Sequence, residues 1–409
     1  MSWHTIEDDK GKFFYYQPSK KVSSNKILGL DLDATLIKNE SGKPFPINAD
    51  DWFFPHSIDK LVEYSNKGYK IVIFTNQKGV FQGKGNLNYD DFKNRCNQIT
   101  SILESKELSV YVLGSTQDDF YRKPSTGMWN YMEKHLNNGV KIHTNDSIFV
   151  GDAAGRKGDF SDSDIKFAIN IGCNFMTPEE FFEKSDKFPF KTLSKNLKGF
   201  NPVPYIDDFD KKERDSVHKE NQESLSELAD IFKDNTKDNT KDNINNVKVI
   251  LMVGSPASGK TSLTKVIKDK IGGEILSLDD LKTKTKMKSK LKELLPLSNV
   301  IIDSTNATIK QRTEWLEMVG KVDDTVKVVC VYLNVPKEIT VHLNNLRQIK
   351  SVIAPDYHSK NVPIVAIHTF WKKFEKPTTT NENFYKIVEF KFEPIFKTKD
   401  EKKEFLTLF

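Results

Sequence analysis

Ile27-Leu28-Gly29-Leu30-Asp31-Leu32-Asp33-Ala34-Thr35-Leu36 is a short apolar run opening onto two aspartates one residue apart. A continuous apolar run that ends in polar residues has the pattern of a strand buried on both faces of a parallel sheet. Side chains at the carboxyl end of such a strand stand where α/β folds build their sites. A second run, Val247-Lys248-Val249-Ile250-Leu251-Met252-Val253, leads directly into Gly254-Ser255-Pro256-Ala257-Ser258-Gly259-Lys260-Thr261. Strand, glycine-rich loop, lysine and threonine form the pattern of a nucleotide-binding P-loop. The first motif fits an aspartate nucleophile that removes a phosphate, and the second fits a loop that helps transfer one.

Outward from Asp31, further pieces follow in a fixed order. Lys70-Ile71-Val72-Ile73-Phe74-Thr75 and Ser147-Ile148-Phe149-Val150-Gly151-Asp152 read as buried strands ending in polar residues. Amphipathic stretches at 89–105 and 125–138 lie between them, which gives an α/β alternation. Asp31 is the candidate nucleophile for an aspartyl-phosphate intermediate. Asp33 is the candidate general acid and base, protonating the leaving alkoxide and later activating water. Thr75 and Asn76 offer donors to phosphoryl oxygens, and Lys123, in Tyr121-Arg122-Lys123-Pro124, offers a fixed positive charge. Asp31, the Asp33 carbonyl and Asp152 are the candidate oxygen ligands of Mg²⁺, which offsets repulsion between carboxylate and phosphate.

Only 39 residues, 36–74, separate the first loop from Thr75, and they must also hold a helix near 56–67 and a strand. Enzymes of the haloacid-dehalogenase type that act on small molecules often insert a cap there. Here Lys38–Pro44 leaves room for a hairpin flap and little else, so the site is expected to stay open to a macromolecular end.

In the second half, the amides of Gly254–Gly259 are expected to cradle the phosphates of ATP. Lys260 would reach the β- and γ-phosphates, and Thr261 would hold Mg²⁺. Asp279 reads either as the base for an attacking hydroxyl or as a helix N-cap. Asp303, at the end of Val300-Ile301-Ile302, reads as a carboxylate near Mg²⁺ or a substrate-loop anchor. Arg347 reads as a lid arginine or a surface one. Lysines at 282, 284, 286, 288, 290 and 292 spread around a helix. They form either a solvated mobile segment or a path for a nucleic-acid strand, with Arg312 and Arg347 as the alternative path.

The expected architecture is α/β throughout. A haloacid-dehalogenase-like Rossmannoid domain with a minimal cap occupies 1–205 and a P-loop kinase domain occupies 247–409. Between them, 206–246 reads as a polar linker. It carries the repeat Lys233-Asp234-Asn235-Thr236, Lys237-Asp238-Asn239-Thr240, Lys241-Asp242-Asn243-Ile244, whose low apolar content cannot offset the entropy cost of folding. A helix near 214–232 precedes the repeat. The chain's net charge is +5; it resides in 247–409, the half better suited to a polyanion. Cys96, Cys173 and Cys330 fit no disulfide or metal spacing, so an intracellular, reducing compartment is expected. No apolar run is long enough to span a bilayer, and no signal peptide is read at the N-terminus.

The combined motifs resemble the polynucleotide kinase 3′-phosphatase family of the eukaryotic type. The resemblance is carried by Asp31–Leu36, Ser41-Gly42-Lys43 with Phe45-Pro46, Ile73–Gln77, Tyr121–Pro124 with Thr126–Trp129, Asp146–Arg156, Asp159-Phe160-Ser161 with Asp164, and Thr177–Phe182. In the second half the P-loop, Asp303 with Thr305-Asn306, and Asn345 with Arg347 also match. The resemblance implies a DNA-end repair enzyme that removes 3′-phosphates and phosphorylates 5′-hydroxyls, leaving ends a ligase can join. The expected cofactors are Mg²⁺ and ATP, the expected partners are DNA or RNA ends, and a monomer is expected. It implies Asp31 as nucleophile, Asp33 as acid and base, Asp152 as metal ligand and Asp279 as the kinase base. Ala34 stands where the family usually has glycine; being small, it is expected to have little effect. Leu278 stands in place of an arginine, which bears on acceptor-phosphate contacts. Larger relatives carry a forkhead-associated domain that binds phosphorylated scaffolds; Asp31 comes too early for one, so that recruitment is expected to be absent. The competing readings are a small-molecule phosphatase fused to a metabolite kinase, and a scaffold with one dead site.

Overall fold

The apolar runs become the central strands of two separate sheets. The computed structural model describes residues 2–8, 11–81, 86–184, 197–208, 211–233, 246–353, 362–396 and 398–409. One unit comprises Met1–Pro202 with Gln348–Ser359 and Leu406–Phe409; the other comprises Val203–Arg347 and Lys360–Phe405.

In the first unit the strands are β1 (Ser2–Asp8), β2 (Gly11–Gln17), β3 (Ile27–Leu30), β4 (Lys70–Asn76), β5 (Val110–Ser115), β6 (Ile148–Val150) and β7 (Asn174–Met176). They lie in the order β1-β2-β5-β4-β3-β6-β7. Strands β3 to β7 pair in parallel, whereas β1–β2 and β2–β5 are antiparallel. Alternate side chains feed opposite faces. Ile27, Val72, Phe74, Tyr111 and Phe149 enter one core, and Leu28, Leu30, Ile71, Ile73, Val110 and Val150 the other. The helix Tyr89–Ser105 begins at a capping box on Asn88 and seals the second core with Phe92, Cys96, Ile99 and Leu103. No domain is inserted between β3 and β4 among the described residues, only a turn, the helix Asp59–Asn66 and the Lys38–Phe53 bridge.

The sequence reading did not anticipate β1 and β2. Phe13, Phe14, Tyr15 and Tyr16 are all buried, Phe13 and Tyr15 on one face and Phe14 and Tyr16 on the other. Burial on both faces erases the alternation by which an antiparallel strand is read. At the start of β2, Gly11 has φ +137°, and a Cβ there would meet Asp119 Oδ2 at 2.1 Å.

Lys70, at the start of β4, is fully buried. Its Nζ donates to the Leu136 carbonyl and sits 3.7 Å from the centre of the Tyr111 ring. Burial lowers its pKa from 10.5 to about 7. Between those values the unfolded chain binds more protons than the folded one, so stability rises with pH across that window. Thermal denaturation of the protein and of Lys70→Met from pH 7 to 10 should therefore show the rise in the parent and not in the variant.

The second unit holds β8 (Val247–Val253), β9 (Glu274–Ser277), β10 (Val300–Asp303), β11 (Lys327–Asn334) and β12 (Lys386–Lys391) in the order β12-β11-β8-β10-β9, all parallel. The stretch read as a linker begins with structure of its own. The helix Lys211–Lys233 lies in this unit and buries Val217, Leu228, Ala229 and Phe232. Its Ser224 and Asn221 donate to the β12 carbonyls of Glu389 and Lys391. The repeat after Lys233 lies outside the described residues. The lysine run is also ordered. Thr283 caps a helix, Lys284–Leu294, that buries Met287 and Leu291. At 100° per residue, Lys284, Lys288 and Lys292 form one ridge and Lys286 and Lys290 another, flanking the buried seam. Among the described residues no helix is long and apolar enough to cross a membrane.

Candidate active sites

Every residue expected in the first site except Lys123 stands at or just beyond the carboxyl end of β3, β4 or β6. Asp31 follows β3, and its N–H donates to the Val150 carbonyl at 2.9 Å. Lys123 arrives on the segment after β5. Its Nζ lies 2.5 Å from Asp31 Oδ1 and 2.7 Å from Asp164 Oδ1. Asp152 is oriented through Thr35, whose hydroxyl donates to Asp152 Oδ1 at 3.1 Å and accepts from the Asp152 N–H at 3.0 Å. Asp33 accepts from the Gln77 amide at 2.7 Å, and the same nitrogen reaches Thr75 Oγ1 at 2.9 Å.

Two expectations change in detail. The Asn76 amide also braces the Lys123 backbone, accepting from its N–H and donating to its carbonyl, each at 3.0 Å, so it helps to place Lys123. Ala34 has φ +60°. In the left-handed region a Cβ costs roughly 1–2 kcal/mol, so size is not the relevant property of this substitution for glycine.

Asp31, Asp152 and Asp164 each offer an oxygen, and these atoms lie within 4.8 Å of one another. Burial pushes the Asp31 carboxyl well up; Lys123 pulls it back, and Asp164 and Asp152 add like charge. Burial and Asp164 likewise raise Asp152 to about 6, against the pull of Thr35 and Lys123. Burial opposes the charge on Lys123, but Asp164 and Asp31 outweigh it and raise its pKa. One buried carboxylate, Asp164, and two partly buried ones, Asp31 and Asp152, face one ammonium, and this surplus of oxygen charge suits a hard divalent cation. Asp164 and Gln77 were not among the candidate site residues. Both lay inside matching motifs, but only the fold shows Asp164 to be a charge buried beside Lys123.

In the second unit the P-loop lies at the carboxyl end of β8, and Gly259 (φ +95°) caps the helix Lys260–Ile271. Lys260 Nζ donates to the Ser255 carbonyl at 2.7 Å, and the Thr261 hydroxyl donates to Asp303 Oδ2 at 3.0 Å. Burial lowers the Lys260 pKa to about 8; Asp303 opposes this, Arg347 adds to it, and Asp279 opposes it. The fold thus brings Asp303, Arg347 and Asp279 within electrostatic reach of Lys260. The helix N-cap is Ser277, whose hydroxyl accepts from the Asp279 N–H at 3.2 Å, so Asp279 is not the cap and its carboxylate is exposed. Arg312 offers no surface path for a strand. It is fully buried and clamped on Glu382 by bonds of 2.5 and 2.8 Å.

The family model described as "Polynucleotide kinase 3 phosphatase" matches residues 26–182. A bifunctional polynucleotide phosphatase/kinase of Schizosaccharomyces pombe is 31% identical over 376 residues, covering 91% of this chain and 81% of that protein. Polynucleotide 3′-phosphatases align over less of the chain. That of Arabidopsis thaliana is 38% identical, covering 41% of this chain and 25% of its own length. That of Saccharomyces cerevisiae is 46% identical, covering 38% of this chain and 87% of its own. With a phosphatase-type cluster in one unit, a P-loop in the other and a relative matched across both, the chain belongs to the bifunctional polynucleotide phosphatase/kinase family.

Proposed function

We infer that this protein processes nucleic-acid ends in two reactions, as a polynucleotide 3′-phosphatase and a polynucleotide 5′-hydroxyl kinase, and that it serves DNA strand-break repair. The observation that carries the reading is the Asp31–Lys123–Asp164 cluster beside Asp152 in a chain that also carries a P-loop.

In the first reaction an Asp31 oxygen attacks phosphorus, and the bond from phosphorus to the 3′-oxygen breaks. Asp33 gives that oxygen a proton, then takes one from the water that hydrolyses the aspartyl-phosphate. Lys123 holds the phosphoryl oxygens. Asp31, Asp152, Asp164 and the Asp33 carbonyl would hold Mg²⁺, which offsets the charge of phosphate against carboxylate. In the second reaction the backbone N–H groups at the Gly259 end of the loop and the Lys260 ammonium hold the ATP phosphates, and Thr261 with Asp303 would hold Mg²⁺. Asp279 takes the proton of the 5′-hydroxyl as the hydroxyl oxygen bonds to the γ-phosphorus; the bond from that phosphorus to the bridging oxygen breaks, ADP leaves, and Arg347 faces the transferred phosphate. The test is incubation with ATP, Mg²⁺ and an oligonucleotide bearing a 5′-hydroxyl and a 3′-phosphate. The product should carry the reverse pattern; a product unchanged at both ends rejects the reading.

The lysine helix supplies the acceptor path. Lys284 lies 3.3 Å from Glu314, and Lys290 lies 2.7 Å from Glu293. Replacing Lys286, Lys288 and Lys292 with Gln should weaken oligonucleotide binding and flatten its logarithmic salt slope by about 0.7 for each phosphate no longer neutralised. ATP affinity should hold. Titrations at several salt concentrations check this, and an unaltered slope sends the path elsewhere.

A further inference from the structure

We propose that Arg95 is a positioning residue of the dephosphorylation reaction, holding the Asp33 carboxylate and tying it to the flap of residues 38–54. The inference rests on the reading of Asp33 as acid and base given above.

Arg95 stands on the helix Tyr89–Ser105 and is 1% exposed. Burying a guanidinium costs free energy unless its donors are matched. Here the match is incomplete, because Nε has no partner. Nη2 donates to Asn39 Oδ1 at 2.9 Å and lies 3.5 Å from Asp33 Oδ1. A cation retained for stability alone is expected to have its donors satisfied. What this one achieves is placement of Asp33.

The carboxylate is held from two sides. Gln77 donates to Oδ2 at 2.7 Å, and Arg95 faces Oδ1. The Asp33 side chain remains 44% exposed, so it is fixed without being closed off from a leaving oxygen or a water. The guanidinium also reaches the flap. Asn39 passes the link on by donating to the Lys43 carbonyl at 2.9 Å. Asp51 closes the loop, accepting from the Ser41 N–H and hydroxyl at 2.7 Å and from the Ile47 N–H at 2.9 Å. The loop carries Phe45 and Ile47, 70% and 45% exposed. One buried cation therefore stands at ion-pair distance from the proton-transfer group and is hydrogen-bonded to the base of the loop that carries this exposed apolar surface.

The test uses the full chain with Arg95→Gln and Arg95→Lys, on a 3′-phosphorylated oligonucleotide and on p-nitrophenyl phosphate. An alkoxide needs a proton to leave, whereas p-nitrophenolate does not; hydrolysis of the aspartyl-phosphate needs Asp33 with either substrate. For Arg95→Gln, kcat on the oligonucleotide should fall by ~10²-fold, the scale of a misplaced catalytic group, with little change in KM. With p-nitrophenyl phosphate the variant should show a pre-steady-state burst of nitrophenolate before slow turnover. Arg95→Lys should restore part of the rate. Equal losses on both substrates without a burst, or no loss, in a variant that keeps the parent's kinase activity and thermal denaturation overturns the proposal. If Arg95→Gln does not fold, Asn39→Ala reads the flap link. It should lower kcat/KM for the oligonucleotide and spare p-nitrophenyl phosphate, and no difference between the substrates overturns the proposal. A parent that cleaves p-nitrophenyl phosphate but no oligonucleotide instead sinks the proposed substrate and leaves the burst test standing.

Discussion

Asp31→Asn should abolish phosphate release from a 3′-phosphorylated oligonucleotide, by about 10⁶-fold, the scale of removing a nucleophile. Transfer from ATP to a 5′-hydroxyl should be unchanged. An amide of the same shape cannot displace an alkoxide from phosphorus, whereas the surrounding charges tolerate it. Lys123 keeps Asp164 as a partner at 2.7 Å, and the cluster loses one of three crowded carboxylates. Removing a carboxylate whose own burial pushes its pKa up relieves the folded state. The opposite change, Lys123→Met, leaves Asp31 and Asp164 buried without their ammonium and should cost stability. Radiolabelled phosphate release, kinase turnover and thermal denaturation of the same preparation check this. A folded Asp31→Asn protein that has lost both reactions rules out independent sites.

Lys260→Ala should produce the mirror image. Phosphate transfer should fall by roughly 10³-fold or more, as for other charges aimed at a transferring phosphoryl group, while 3′-dephosphorylation stays at the parent level. Lys260 lies in the loop against the Ser255 carbonyl, with burial lowering its pKa to about 8, so phosphate oxygens are partners that would favour its charged form. The substitution leaves the Thr261–Asp303 bond in place, and alanine is a good residue for the first turn of the helix Lys260–Ile271. The loss is therefore expected in nucleotide affinity and transfer, not in folding. Isothermal titration with ATP and a kinase assay check it; a kinase rate within about tenfold of the parent, against the ~10³-fold scale expected, would falsify the role.

The sequence by itself determined the central strands of both sheets, the two phosphate-handling loops and their order. The reason is local: parallel strands buried on both faces are continuous apolar runs, and their polar ends and glycine loops are written in adjacent residues. The helix Tyr89–Ser105 was legible for the same reason, as an amphipathic stretch with those bounds. Tertiary structure decided what depends on residues far apart in the chain. Four consecutive aromatics became β2 because both faces of that strand are covered. Asp164 became part of a charged cluster because the fold buries it beside Lys123. Asn76 gained a supporting part because its amide meets the Lys123 backbone, 47 residues on. Arg95, outside every motif, reached Asp33 because a helix packed over the second core carries it there. A motif names the groups that do chemistry; which charges are buried together, and what holds them, is set by packing between distant segments, which no local pattern encodes.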